Sequence, residues 1–337
     1  MAGNAGATEA YDALLSTTLK NYTPRIEDNI FSNLPLLYML KEAGNIEKVS
    51  GGEKIVEPLM YGVNTTTGSY GGYDNISTIP QEGITAAVYE WKQYAVSVAI
   101  SGIEEAKNRG ESQVISLLKA KVDQAEMSLQ EQMNLMFYSG TATNSTGNSN
   151  KDWNGLGRFI QPTSSTGAGV GDSNVGGINS ADTGNSWWQN QAYNFVTQNS
   201  KLLPGMSALY NNCSKGTTRP SVVLASQASW QQYENILQPQ LRYQSTKTAD
   251  AGFENLLYKS APIIWDDDCT GNKMYFLNPK FLKLKVHSDV WLKSTPFEKP
   301  HGQDARYSQI LAYGNLVCNN RRFLGILSNT DAAATGL

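Results

Sequence analysis

The stretch that decides the fold is ESQVISLLKAKVDQAEMSLQEQMNLMFYSG, which runs from Glu111 to Gly140. Its apolar residues recur in steps of three and four, the period of an amphipathic helix. They are Val114, Leu118, Val122, Ala125, Leu129, Met133 and Met136. The pattern predicts one helix from about residue 111 to residue 138, roughly 42 Å long at about 1.5 Å per residue. Such a helix is far longer than the globular average of about 11–12 residues.

The two sides of this helix have different predicted surroundings. The last turn, Met133 to Tyr138, is apolar almost all round, so we expect it to be buried. Ser112 is placed to cap the start, and Gly140 is placed to end the helix. The polar residues expected to face water are Ser112, Lys119, Asp123, Glu126, Gln130 and Asn134. The stripe therefore predicts a long core element that crosses one face of a domain.

Composition favours a protein that meets other proteins. The 337 residues allow one large domain or two smaller ones. The 27 basic and 30 acidic residues nearly cancel, and no basic block predicts an electrostatic grip on nucleic acid. Charged residues make up 17% of the chain, below the usual quarter, while amides and hydroxyls are plentiful. Such a composition suits extended surfaces that contact other protein surfaces, and it is equally common in secreted proteins.

Cysteine usage and the absence of export signals indicate a cytoplasmic origin. Cys213, Cys269 and Cys318 lie far apart without a CxxC motif, so we expect free thiols in a reducing compartment. The first twenty residues lack the order of a secretory signal. No run of 18 apolar residues predicts a membrane span. The chain is therefore expected to be made in a cytoplasm and to stay soluble there.

The N-terminal part reads as an arm followed by a hairpin. Residues 1–50 contain two short helical pieces, 11–22 and 34–44. A strand over 53–63 contains Pro58, which restricts it to an edge or a bulge. The chain returns over 84–100, where apolar and small residues alternate, so the two segments predict a hairpin with long arms. Its tip, 64–83, is polar and glycine-rich, and we expect it to be poorly ordered in isolation.

Beyond the long helix, the pattern becomes mixed. Residues 139–186 are rich in Gly, Ser, Thr and Asn, and residues 305–330 predict two strands of a sheet. The other predicted elements are helices over 188–203 and 226–238 and strands over 220–226, 261–266, 273–277 and 282–287.

No catalytic, cofactor or metal motif stands out. The only histidines, His287 and His301, lack a partner motif and are expected to be structural or solvated. WDDDC (265–269) offers carboxylates to a hard cation such as calcium. Its three consecutive side chains point in different directions, however, so a charged turn ending a strand is favoured. The seven tryptophans are scattered without an acid/base carboxylate pair and predict core and interface packing. The sequence thus predicts no catalytic residue, no cofactor and no metal ligand.

Six passages carry a resemblance to one known family. They are LPLLYMLKEAGNIEKVSGGEKIVEPLMYG (34–62), SYGGYD (69–74), AAVYEWKQYAVSVAISGIEEAKNRGE (86–111), GLGRFI (155–160), VGGINSADTGNSWWQNQ (175–191) and NLVCNNRRFLGILSNT (315–330). In this order they resemble the major capsid proteins of tailed bacteriophages with the Hong Kong 97-type fold. The resemblance implies an α+β fold with an N-terminal arm, an extended β-hairpin loop, a long spine helix, and peripheral and axial domains.

The same resemblance implies a division of the chain. The implied parts are the N-terminal arm over 1–52, the extended hairpin loop over 53–101, the spine helix with part of the peripheral domain over 102–187, mainly the axial domain over 188–303, and the return to the peripheral domain with the C-terminal tail over 304–337. A shell subunit must be a thin plate, and a single long helix across a sheet would give that plate a stiff beam.

The resemblance also implies a role and partners. It implies a structural protein, not an enzyme, that assembles into the icosahedral head of a tailed phage and encloses double-stranded DNA without reading its sequence. The implied partners are further copies in hexamers and pentamers, a portal protein, and possible separate scaffold or decoration proteins, with no membrane. The implied location is the virion, assembled in the bacterial host cytoplasm. Met1 leads almost at once into the arm, so any scaffold is expected to be a separate protein.

Two further interpretations stay open at this point. A tail-tube, sheath or other virion assembly protein would share the composition but generally lack the long spine helix. A glycan-active enzyme would use the tryptophans with a carboxylate such as Asp267. The founding member of the capsid family crosslinks to itself through a Lys–Asn pair, which needs a set geometry. Lys54 and Lys92 flank the hairpin here, but neither matches that chemistry, and no catalytic role is assigned to them.

Overall fold

The computed structural model describes residues 34–107, 111–139, 151–162, 174–194, 202–237 and 255–328. Its helices are α1 (Pro35–Glu42), α2 (Gly102–Lys107), α3 (Glu111–Ser139), α4 (Leu156–Phe159), α5 (Leu202–Asn212) and α6 (Gln227–Leu237). Its strands are β1 (Ile46–Val49), β2 (Ile55–Met60), β3 (Ile84–Tyr89), β4 (Lys92–Ser101), β5 (Asn174–Val175), β6 (Ile178–Asn179), β7 (Gln191–Asn194), β8 (Val222–Ala225), β9 (Asn255–Tyr258), β10 (Ala261–Trp265), β11 (Lys273–Leu277), β12 (Leu282–His287), β13 (Lys293–Ser294), β14 (Ala305–Cys318) and β15 (Gly325–Ser328).

Helix α3 confirms the predicted long helix at 29 residues. The apolar stripe is buried from Leu118 to Met136, and the last turn is buried as predicted. Two residues expected to face water, Glu126 and Asn134, are buried instead. Asn134 is buried because the turn after β10 covers that side of the helix and accepts its hydrogen bonds. The side chains of Val114 and Ser112, and all of Gly140, lie outside the described residues.

A five-stranded sheet lies against α3. Its order is β1-β12-β14-β13, and β4 also pairs with β14. The β4–β14 ladder is antiparallel over ten residue pairs, from Ser101↔Ala305 to Lys92↔Gly314. Val98 and Ile100 alternate inward from β4, as predicted, and α3 packs on that strand. The sheet therefore supplies the plate on which the long helix lies.

The return strand predicted over 84–100 is two strands. Strand β3 pairs with β2 in a separate two-stranded ribbon of six residue pairs, whereas β4 enters the five-stranded sheet. The chain changes direction at Glu90 and Trp91. Asn315 donates to the Glu90 carbonyl at 2.8 Å, and the Trp91 indole N–H donates to the Gly52 carbonyl at 2.9 Å. These tertiary hydrogen bonds stabilise the change of direction between β3 and β4. The alternation of residues along a strand carries no information about such bonds to distant residues.

A six-stranded sheet, with order β7-β15-β11-β8-β10-β9, forms the second layer. Helices α5 and α6 cover it and enclose a separate apolar core that includes Met206, Tyr233 and Phe276. Helix α6 and strands β8, β10, β11 and β12 confirm predicted elements. The helix predicted over 188–203 is wrong, because Gln191–Asn194 forms a strand parallel to β15 and α5 starts at Leu202.

The final two strands belong to different sheets. The sequence predicted that residues 305–330 form two strands of one sheet. Strand β14 lies in the five-stranded sheet and β15 lies in the six-stranded sheet. Between them, the fully buried Arg321 guanidinium donates from Nε to the Phe159 carbonyl at 2.8 Å. The turn that carries Arg321 thus ties both sheets to the segment that follows α3.

The structure describes the segment predicted to be an N-terminal arm from residue 34 onward. Helix α1 confirms the predicted helical piece at 34–44, and its Leu36, Leu37 and Leu40 side chains enter the main core. The predicted piece at 11–22 lies outside the described residues. Strand β1 was not predicted; it joins the five-stranded sheet parallel to β12. Among the described helices, none combines the length and apolar character that a membrane crossing requires.

The three cysteines are free thiols, as predicted, and all are buried. Burial raises the pKa of Cys213, Cys269 and Cys318 to about 12. Thiols held in the neutral form react slowly with oxidants and other thiols. The cysteines therefore serve as small apolar core residues.

Candidate assembly surface

The inner face of the β2–β3 ribbon is packed onto the body of the protein. Ile55, Leu59 and Tyr89 are buried there, and the Tyr89 hydroxyl donates to the Cys318 carbonyl at 2.8 Å. The small β5–β6 hairpin lies against the ribbon at Gly176, which has φ of +65°. A Cβ at this position would lie 2.7 Å from the Ala87 Cβ, so only glycine permits both the turn and the close approach.

The outer face of the ribbon is apolar and exposed. Val56, Pro58 and Met60 point outward from β2, and each pairs across the ribbon with an apolar residue of β3. Met60 and its partner Ile84 are 81% and 75% exposed. We define the outer ribbon face as Val56, Pro58, Met60, Ile84, Ala86 and Val88. A contiguous apolar surface of this kind marks a site of protein contact.

The tip continues this apolar surface. Residues 61–83 contain no helix or strand, and a turn from Gly71 to Asp74 is closed by the Asp74 carboxylate, which accepts from the Gly71 N–H at 2.7 Å. Although the tip is polar in composition, its large side chains point outward. In the described residues, ten of thirteen exposed large hydrophobic side chains lie on the ribbon and tip: Val56, Met60, Tyr61, Val63, Tyr70, Tyr73, Ile76, Ile79, Ile84 and Val88.

A buried ionic cluster anchors the ribbon to the five-stranded sheet. Glu57, on the inner face, is 3% exposed and contacts Lys283 at 2.8 Å and Lys285 at 2.5 Å, both on β12. Glu47 on β1 contacts Lys283 from the other side at 2.8 Å. The alternation in LKLKVH (282–287) predicted the strand, and alternation of this kind places the lysines on a solvent-facing side. Lys283 and Lys285 instead form ion pairs. They meet a carboxylate that is 228 residues away from Lys285 in the chain.

The ionic cluster affects the titration of two of its members. Burial by itself raises the pKa of Glu47, but the hydrogen bond and charge of Lys283 outweigh burial, so the pKa lies below 4.5. Burial lowers the pKa of Lys283, and Glu47 and Glu57 together raise it above 10.5. The Glu47 contribution to stability is therefore present above pH 4.5 and is lost as the pH falls through its lowered pKa. The Lys283 contribution persists until the pH rises through its raised pKa.

The WDDDC segment forms a joint with the long helix. Asn134 of α3 donates to Asp266 at 2.8 Å and to Asp268 at 2.7 Å, and the Tyr138 hydroxyl donates to Asp266 at 3.1 Å. Burial raises the pKa of Asp266 above 3.8. Asp267 is exposed. Throughout the described residues, no group of three or more His, Cys, Asp or Glu side chains could hold a metal ion. The segment is a turn that ends β10, as favoured from the sequence.

Replacing Asp266 by alanine is expected to lower the free energy of unfolding by about 2–4 kcal/mol, because the buried donors of Asn134 and Tyr138 lose their acceptor. Asp266→Asn keeps an acceptor, so we expect a smaller loss. Because the folded-state pKa is raised, the wild-type protein loses stability from this group as the pH rises from 3.8 through that pKa. Asp266→Asn should lack this component in urea unfolding at several pH values. Equal losses in both variants, with unchanged pH profiles, would contradict this assignment.

The other sequence candidates do not converge. His287 accepts the Asp289 N–H at 3.2 Å and lies beside the Trp91 ring, whereas His301 is in an exposed turn. Trp153 and Trp188 are fully buried, and the Trp153 ring stacks on Trp291 at 5.7 Å. The tryptophans thus fill the core instead of lining one cleft, as the packing interpretation predicted.

The sequence prediction missed the outer ribbon face, although a signal was present. In IVEPLM (55–60), apolar residues occupy both alternating sets of positions, with Glu57 as the one exception. This pattern is typical of a strand that is covered on both faces. Since the described residues cover only one face of β2, this pattern makes the second face a candidate surface for contact with another protein molecule. The buried partners of Glu57 carry no such local signal, because they come from a distant strand.

Comparison with solved structures defines the class of protein. The chain is similar to the cyanophage A-1(L) capsid asymmetric unit, with 15% identity, a TM-score of 0.58, and coverage of 86% of this chain and 92% of that chain. It is also similar to a chain of Mycobacterium phage Ogopogo (11% identity, TM-score 0.51, coverage 86% and 91%) and to the capsid of Myoviridae phage XM1 (8% identity, TM-score 0.51, coverage 86% and 90%). The fold is the Hong Kong 97-type fold of phage capsid proteins.

The sequence family agrees with the fold. The family model of the SU10 major capsid protein matches residues 94–331, well over half of the chain. The chain belongs to the SU10 major capsid protein family. It is a structural protein of the phage virion, a major capsid protein. No curated protein sequence matches the chain.

Proposed function

We propose that copies of this chain close an icosahedral phage head, arranged as hexamers and pentamers, in which each ribbon and tip lies on a neighbouring copy. The observation that carries this proposal is the outer ribbon face, which is apolar and which no described residue of the single chain covers. Burying one large apolar side chain contributes about 1.5–3 kcal/mol. Several such residues on every copy, repeated by symmetry, supply a cooperative drive for assembly.

The two sheets suggest how each copy is divided within the shell. The five-stranded sheet with α3 would form the peripheral part, and the six-stranded sheet with α5 and α6 would form the axial part. In this division, β12 and β13 go with the peripheral sheet and β15 goes with the axial sheet. Residues 1–52 would serve as the arm and 53–101 would include the hairpin loop.

The remaining partners follow from the capsid role. Double-stranded DNA would be held by enclosure, without base recognition, because the near-neutral chain shows no basic block. A portal protein, and scaffold or decoration proteins where used, would act as separate partners. Assembly would take place in the bacterial host cytoplasm, and no catalytic step is required of the subunit. Family and fold favour this role over the tail-tube and glycan-enzyme alternatives.

Deleting the tip tests the proposal. A variant in which residues 64–83 are replaced by an Asn-Gly turn should remain a folded, soluble subunit, because the tip adds no strand or helix to the body. It should form no closed shells in negative-stain electron microscopy at concentrations where the full chain does. Closed shells of normal size from the deletion variant would contradict the role of the hairpin. Tubes from the full chain would favour the tail-tube alternative.

A further inference from the structure

A polar cavity of about 330 Å³ opens where the ribbon joins the five-stranded sheet. Separate segments of the chain converge on it: the approach to β2, the break between β3 and β4, helix α4, the β5–β6 hairpin and strand β14. Three cationic side chains, Lys54, Lys92 and Arg158, line it together with the Glu90 carboxylate. A cavity with this lining suits an anion.

The floor of the cavity is built from buried amides. Asn315 is fully buried, and its Oδ1 accepts the Asn154 backbone N–H at 2.9 Å. Its Nδ2 donates to the Glu90 carbonyl at 2.8 Å, and Arg158 donates from its guanidinium to the Asn154 Oδ1 at 3.1 Å. These bonds fix one cation of the site before any ligand arrives, so little ordering is needed on binding.

Cationic side chains outnumber acidic ones in the lining of the cavity. Lys92 is 7% exposed. Burial lowers the pKa of Lys92, Arg158 lowers it further, and the carboxylates of Glu90 and Asp152 oppose this change without cancelling it. A carboxylate placed between Lys54, Lys92 and Arg158 would therefore offset two effects on Lys92, the desolvation of its ammonium group and its repulsion by Arg158.

The cavity is continuous with the outer ribbon face. Val88 belongs to both, because it is a lining residue of the cavity and its side chain is exposed on the outer ribbon face. A second copy that covers the outer ribbon face would also cover the mouth of the cavity. The tip of such a copy has a complementary charge: residues 61–83 contain Asp74 and Glu82 but neither lysine nor arginine.

Of these two acidic residues, Asp74 has the better position. Glu82 adjoins Gly83, whose carbonyl accepts from the Tyr61 N–H at 2.9 Å, so Glu82 stays at the base of its own tip. Asp74 ends the exposed turn at the far part of the tip, between residues 66 and 80, beyond the side-chain pair of Thr65 and Gln81. Its side chain is exposed, and the bond that its Oδ2 accepts from the Gly71 N–H holds the carboxylate at the surface of the turn.

We propose that this cavity is a carboxylate site for a second copy of the chain, which inserts Asp74 of its tip between Lys54, Lys92 and Arg158. The inference rests on the proposed shell and adds the residue pair that sets where the tip docks. A DNA phosphate in the cavity is the competing occupant.

Zero-length crosslinking between labelled chains tests the pair directly. ¹⁵N-labelled and unlabelled chains are mixed before assembly and treated with a carbodiimide, which takes up the water released as an amide forms between a carboxylate and an amine. Mass spectrometry should find Asp74 joined to Lys54 or Lys92 between a labelled and an unlabelled chain. Glu82 serves as the matched carboxylate and should give at most a minor product.

Charge exchange provides a second test. Lys54→Glu and Asp74→Lys should each raise the protein concentration needed for shell formation by about tenfold or more. The double variant should return to within about threefold of the wild type. All these side chains are exposed in the single chain, so each variant should keep the fold of the body, although Asp74→Lys also removes the acceptor that closes the Gly71–Asp74 turn. Lys48→Glu, another exposed lysine, is the control and should not rescue Asp74→Lys.

The outcomes separate this inference from the proposed function. Wild-type shells without the Asp74 crosslink, or without rescue in the double variant, would overturn the inference and leave the shell intact. Protection of Lys54 from acetylation only in DNA-filled shells would assign the cavity to phosphate and also overturn it. A wild-type chain that stays single at every concentration, with no interchain product, would overturn both.

Discussion

Placing a charge pair on the outer ribbon face, Met60→Glu with Ile84→Lys, is expected to abolish shell formation while the single subunit stays as stable as the wild type. The two positions face each other across the ribbon, so the opposite charges attract and the net charge is unchanged. Both side chains are exposed in the subunit, so neither substitution opens a cavity. In the shell, however, the glutamate and lysine side chains of every copy would have to lose their contact with water.

The expected size of this effect follows from two losses. Each contact would lose about 1.5–3 kcal/mol of apolar burial per side chain, and would carry a desolvation cost of several kcal/mol per ion. The concentration needed for assembly should therefore rise more than about a hundredfold, measured by light scattering and electron microscopy. Met60→Leu with Ile84→Val keeps the face apolar and is the control. Normal assembly of the charged variant would show that this face stays open to solvent in the shell.

The substitution Glu57→Ala removes the buried carboxylate that joins the inner face of the ribbon to β12. We expect it to lower the free energy of unfolding of the subunit by about 2–4 kcal/mol. Breaking a buried pair leaves the remaining charge without compensation, typically at about 3–5 kcal/mol. Glu47 still contacts both Lys283 and Lys285, which makes the expected loss somewhat smaller. Urea unfolding followed by tryptophan fluorescence measures it.

A second substitution distinguishes lost charge balance from lost packing. Adding Lys285→Met to Glu57→Ala removes the buried ammonium and fills its volume with an apolar side chain, so we expect at least half of the lost stability to return. Lys121→Met is the comparison at a salt bridge that is more exposed, Lys121–Glu104 at 3.2 Å, and should change stability much less than Glu57→Ala does. A Glu57→Ala loss below that of Lys121→Met would mean that the ionic cluster does not anchor the ribbon.

The local pattern of the sequence was sufficient for the elements that bury one face along their whole length. The stripe from Leu118 to Met136 predicted α3, because a helix of that length has no other way to bury so regular a set of side chains. Strands β8, β10, β11 and β12 were predicted from short runs rich in apolar residues, and the structure buries these strands at most positions on both faces. The order of passages along the chain also indicated the capsid family, which the family model then showed.

Periodicity failed where distant residues decide the outcome. It predicted one strand over 84–100, but Asn315 donates to the Glu90 carbonyl and the Gly52 carbonyl accepts from the Trp91 indole N–H, and these two bonds hold the break at Glu90 and Trp91. It placed Asn134 in water, although Asp266 covers it from a turn 132 residues away. A local pattern reports which side of an element is apolar and carries no information about which partner covers the other side.

The sequence by itself thus determined the long helix, most strands, the free thiols and the family resemblance, because these depend on residue order within one segment. Only the tertiary structure decided which sheet each strand joins, where the ionic cluster forms, and which apolar face the single chain leaves uncovered. Those features depend on contacts between segments far apart in the chain. Whether such contacts form is set by the packing of the whole fold. The outer ribbon face is the clearest case: its residues are visible in the sequence, but its exposure is a property of the folded subunit.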